Sequence, residues 1–115
     1  MTHADKLENI RTLVQSVLAS HDWQVGDFPA AGVKAIETAC GGRQAEAWLP
    51  QSLSEEDTIV CLKGSFVSAG EDVLSSSTIY IPIDAPDKDI QALAKGFCAA
   101  AEVQISQAYS VRLLH

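Results

Sequence analysis

Residues 58–83 read TIVCLKGSFVSAGEDVLSSSTIYIPI, and the class of fold is decided here. Two runs rich in Ile, Val, Phe and Tyr, Thr58–Ser68 and Ser75–Ile83, lie on either side of Ala69-Gly70-Glu71-Asp72. β-branched and aromatic runs broken by a short polar turn are the signature of a hairpin. Ile79, Ile81 and Ile83 alternate with Thr78 and Tyr80, and Val60, Leu62 and Phe66 form the cleaner apolar face of the preceding strand. Such alternation belongs to an antiparallel sheet that buries one face only.

A second hairpin is expected just upstream. Val33–Cys40 and Arg43–Leu49 flank Gly41-Gly42, a spacer suited to a tight turn. Ala45, Ala47 and Leu49 fall on one face of the second strand, with Gln44, Glu46 and Trp48 on the other. Helical patterns bracket the strands. From about Ala4 to Trp23, Leu7, Ile10, Val14, Val17 and Leu18 recur at helical spacing, with Thr2 and Asp5 placed to form a capping box. From about Pro86 to Leu113, Ile90, Leu93, Ala94, Phe97, Ala101, Ile105 and Ala108 mark a second stripe, with Asp84 near its cap and Pro86 suited to its first turn. The expectation is one α+β domain over residues 1–115, in the order α-β-β-β-β-α. Its four-stranded antiparallel sheet is made of two hairpins, and both helices pack on one face.

Composition narrows the functional classes. With 115 residues the chain has room for one core, and 47% hydrophobic content is enough to build it. A net charge of −7 repels phosphate backbones, which argues against nucleic acid and for a basic protein partner. No apolar run approaches the roughly 18 residues of a membrane span, and the first residues lack a secretory pattern. Cys40, Cys61 and Cys98 are too scattered for a disulfide framework or a zinc site, so a reducing cytoplasm is expected.

Two surfaces stand out. The sheet face away from the helices is expected to carry Ile36, Trp48, Ile59, Cys61 and Tyr80, an apolar-aromatic patch of the kind that receives a partner. The competing expectation is that Trp23–Ala31 or Pro50–Glu55 folds over these residues. Acids concentrate between residues 54 and 89, and hairpin pairing brings Glu55, Glu56 and Asp57 to the same pole as Asp84, Asp87 and Asp89. No calcium-loop spacing accompanies them, so helix-terminus and solvent roles are expected ahead of a metal.

Catalytic constellations are missing from the sequence. His3 and His115 are terminal, His21 falls near a helix end, and Ser75-Ser76-Ser77-Thr78 lacks a nucleophile elbow. Gly-rich phosphate loops are absent, and no cofactor is implied. The resulting expectation is a small acidic, non-enzymatic protein-interaction module of adaptor, inhibitor or assembly type, with a homodimer through the open sheet face as one form. The alternative is a small-molecule-binding domain whose pocket, between sheet and helices or in the open face, draws on Trp23, Phe28, Trp48, Phe66 and Phe97.

Overall fold

The computed structural model describes residues 2–26, 30–38, 41–68 and 73–113, with side chains described outside 35–44, 66–77 and 104–113. Helix α1 spans His3–Ser20 and begins with a complete capping box. The Thr2 hydroxyl accepts from the Asp5 amide at 3.1 Å, and the Asp5 carboxylate accepts from the Thr2 amide at 3.2 Å. These bonds hold the Asp5 carboxyl below the usual carboxylate range.

The other end of α1 is closed by a Schellman arrangement. The Asp22 amide donates to Ala19 O at 3.2 Å and the Trp23 amide to Leu18 O at 3.0 Å. Asp22 adopts a φ of 67°, the left-handed position usually given to glycine. The turn folds Trp23 back into the core beside Phe97, their ring centroids 6.0 Å apart.

Four strands follow: β1 (Gly32–Thr38), β2 (Gly41–Trp48), β3 (Ile59–Ser68) and β4 (Val73–Pro82), and the chain ends in helix α2 (Asp87–Leu113). The strands form one antiparallel sheet in the order β1-β2-β3-β4, so consecutive strands are neighbours and β1 and β4 are the edges. This is the α-β-β-β-β-α architecture that the sequence pattern predicts.

Two local expectations change. Thr38 pairs with Gly41 and Glu37 with Gly42, so Gly41-Gly42 belong to β2 rather than forming the turn. The positions between, Ala39 and Cys40, lie outside the described residues, as do Ala69–Asp72 of the second turn. In β4 the pairing steps from Phe66–Ser75 to Val67–Val73, which leaves Leu74 as an extra residue in a bulge.

Both helices lie over one face of the sheet and run parallel. Asn9 reaches Asp87 at 3.2 Å near their starts, and His21 reaches Glu102 at 3.5 Å where α1 ends. At 27 residues, α2 is about 40 Å long and continues well past α1. Beneath the helices, Val60, Leu62 and Ile81 of the sheet meet Ile10, Val14 and Leu18 of α1 and Ile90, Ala94 and Phe97 of α2, all fully buried. Ala45 and Ala47 supply small side chains in β2. Close packing extends to Gly32, where an added Cβ would sit 2.9 Å from Leu18 Cδ1. Lys34 shares the covered face at the row of Ala45 and donates to His21 O at 3.0 Å, which places a cation at the C-terminal end of α1.

The α1 terminus offers a direct test. Aspartate at a left-handed position is strained relative to glycine, so Asp22→Gly is expected to raise unfolding free energy by about 0.5–1 kcal/mol. Urea denaturation of the two proteins measures it, and a loss of stability would show that the Asp22 side chain contributes more than its backbone costs.

Candidate functional site

Pleat and pairing place three large apolar side chains on the helix-free face. In β2, Ala47 and Leu49 are buried, and Trp48 between them points away, 37% exposed. In β3, Val60 and Leu62 are buried while Ile59 is 48% exposed and Cys61 half-buried. Tyr80, flanked by Ile79 and Ile81, is 62% exposed. Register gathers them into a group: Cys61 pairs with Tyr80, Ile59 with Pro82, and Trp48 with Lys63, which in turn pairs with Thr78.

Ile36 pairs with Arg43 between β1 and β2, and its side chain lies outside the described set. The described members of the group are Trp48, Ile59, Cys61 and Tyr80.

The loop after β2 forms a wall for this group rather than a cover. Arg11 donates from Nη2 to Pro50 O at 2.9 Å, and His3 Nε2 lies 3.1 Å from Asp57 O, so α1 ties the loop at both ends. Inside it, the Ser54 amide donates to the Asp57 carboxylate at 2.8 Å, and Leu53 packs against the core. Between loop and sheet runs a cleft of about 370 Å³, lined by Trp48, Leu53, Ile59 and Cys61 with Asp57 and Lys63 as charged groups. The other segment weighed as a cover, Trp23–Ala31, lies elsewhere. Trp23, Ala30 and Ala31 are buried, Gln24 bridges Val33 of β1, and residues 27–29 lie outside the described set.

Lys63 and Leu53 were not singled out from sequence. Lys63 was readable, because it follows Ile59 and Cys61 at the two-residue period of one face. Leu53 was not, because a loop has no period.

The six clustered acids, Asp57 of the cleft among them, are distributed among separate tasks. Asp84 pairs with Lys6 at 2.5 Å, and that ammonium holds its carboxyl below the usual range. Asp87 accepts from Asn9 and, with Asp89, occupies the first turn of α2. Asp57 accepts from its own loop, and Glu55 and Glu56 lie exposed in a turn. Among the described residues no three His, Cys, Asp or Glu side chains are placed to hold a metal ion. The acids instead lie where two parallel helices begin, and offset the positive ends of both.

Titratable groups also meet where α1 ends beside α2. Glu102 faces His21, and Cys98 lies fully buried nearby under the influence of Glu102 and Lys34. Burial pushes the Cys98 thiol up to about 11, with Glu102 adding to the rise. A thiol so protonated and enclosed is packing, and no nucleophile forms there. Of the aromatics proposed for a pocket between sheet and helices, Trp23 and Phe97 are core residues in mutual contact, and only Trp48 borders the open-face cleft. The side chains of Phe28 and Phe66 lie outside the described set.

The fold and surface together define a two-layer α+β fold in which, among the described residues, neither helix covers the second face of the sheet. Compared with models of known families, with curated proteins and with solved structures, the chain matches none. Among the described residues no helix is long and apolar enough to cross a membrane.

The two thiols provide a check on which face is bare. In a Cys40→Ser background, Ellman's reagent is expected to react promptly with Cys61 in the native protein and with Cys98 only after denaturation. Prompt reaction of both would mean that α2 does not seal the core.

Proposed function

We propose that this chain is a protein-interaction module that docks a protein partner on its helix-free sheet face. The observation that carries the reading is the exposure of Trp48, Ile59 and Tyr80 together on one face of adjacent strands. Tryptophan and tyrosine are the residue types most enriched where binding energy concentrates, and an isoleucine beside them adds apolar area. Strands hold these side chains rigidly, so little ordering is lost on contact. A net charge of −7 suits a basic partner, with Lys63 as the cation inside the group. A second copy of the chain seated on the same face is one form of the proposal. Cytoplasmic residence is part of it, supported by free thiols at Cys61 and Cys98.

A second reading rests on the cleft beside the same group. Its volume of about 370 Å³ falls within the range of small-molecule sites, and Trp48, Leu53 and Ile59 give it apolar walls. A metabolite of modest size and mixed polarity would fit between Lys63 and the indole.

Affinity capture from the source cells separates the readings. Wild-type bait is expected to retain a protein that Ile59→Asp and Trp48→Ala baits lose by about tenfold or more. Ile59→Asp should melt close to wild type, because exposed substitutions change stability by only about 0.5 kcal/mol, and Trp48→Ala, which truncates a ring only 37% exposed, should lose more and still unfold cooperatively. Sedimentation equilibrium identifies a second copy as the partner. Equal capture by all three baits contradicts the docking proposal. A metabolite that raises the wild-type melting temperature and leaves Trp48→Ala unmoved favours the cleft instead.

A further inference from the structure

The two edges of the sheet are guarded very differently. β1 carries Lys34 and Glu37 within seven residues, and its start is already paired. There Gln24 and Val33 exchange backbone hydrogen bonds of 2.8 and 2.9 Å. Charges and a covering segment are the ordinary protections of an edge strand. β4 has ten residues and no charge. Its protections lie only at its ends: the bulge at Leu74, and Pro82 as its last residue.

Between them the edge is regular and its hydrogen-bonding direction is known. The Ile83 amide donates to Thr58 O at 2.9 Å, so alternation turns the backbone groups of Ile81 and Ile79 toward β3. Those of Tyr80, Thr78 and Ser76 then face outward, and Pro82 falls where its missing N–H would also have faced outward. Among the described residues nothing pairs with that side of β4. The stretch Ser75–Ile81 spans roughly 23 Å, a little more than the length of an average strand.

We propose that the outer edge of β4 receives an extended segment of another protein as an added strand, uncharged along β4 and basic at the end that reaches the acidic pole. The charge pattern selects this occupant. Asp84, Asp87 and Asp89 follow β4 at the pole. β4 of a second copy carries no cation to meet them, so a second copy is the wrong occupant. A segment with lysine or arginine beside the pole meets them with opposite charge. Beside Pro82 lies an open notch of about 350 Å³ formed by Ala85, Ala92 and Leu93, with Asp89 at its rim. It gives the added strand a seat for one apolar side chain, the arrangement that supplies specificity in strand addition.

This site is separate from the open face, and its test keeps the two apart. The probes are a peptide of about ten residues with a Thr/Val centre and paired lysines at each end, and its glutamate-flanked counterpart. Calorimetry is expected to show the lysine peptide binding wild type and Trp48→Ala alike. Binding should weaken by about tenfold or more for Thr78→Pro, which removes an outward N–H while sparing the β3 ladder. The glutamate peptide should be weaker by a similar factor. Amide exchange at Ser76, Thr78 and Tyr80 should slow in the complex, a readout independent of whether Thr78→Pro folds. Three results overturn the proposal: no binding of the lysine peptide, equal binding of both peptides, or a self-associated dimer already protecting these amides.

Discussion

Everything in this molecule follows from the burial of one face of a four-stranded sheet under two helices. Val60, Leu62 and Ile81 of the sheet are fully buried in one core with Ile10 and Leu18 of α1 and Ile90 and Phe97 of α2. At about 25 cal/mol per Å² of apolar surface removed from water, this one layer supplies the dominant favourable term of folding. The small residues Gly32, Ala45 and Ala47 set how near the helices come. Because the pleat alternates, committing one set of side chains to the layer commits the other set to the far side.

The parallel course of the helices has an electrostatic consequence. Both begin at the same pole, so the positive ends of two backbone dipoles lie together. Asp5, Asp84, Asp87 and Asp89 collect there, with Lys6 bridging to Asp84. The asymmetric charge of the sequence is therefore part of the scaffold. The same acids give the pole an overall sign that favours cationic neighbours, so structure and recognition draw on one feature.

Two surfaces of the sheet remain available, and they differ in kind. The bare face offers side chains, chiefly Trp48, Ile59 and Tyr80, and suits a partner recognised by shape and apolar contact. The β4 edge offers backbone groups and suits an extended chain recognised by hydrogen-bond periodicity. Tyr80 belongs to both, its ring on the face and its backbone at the edge. Neither surface needs the buried thiol of Cys98 or the His21–Glu102 pair, which serve the packing of α1 against α2.

Periodicity along the sequence determined the element order, the buried stripe of α1, that of α2 as far as Ala101, and the described inward rows of β2, β3 and β4, while the side chains of Ile105, Ala108 and Phe66 lie outside the described set. Each is a local pattern repeated at 3.6 or two residues, and burial rewards it wherever it occurs. The capping box of α1 was equally legible, since its partners are three residues apart. Tertiary structure alone decided what depends on pairing between distant segments. The register of β1 against β2 drew Gly41-Gly42 into a strand, although the glycines resemble a turn in isolation. Contacts from Arg11 and His3 made the 50–57 loop a wall beside Trp48 instead of a lid. The left-handed Asp22 and the open edge of β4 likewise follow from how the helices and strands meet. A repeat in one segment is written in that segment, whereas a register or a loop path is settled by residues far away along the chain.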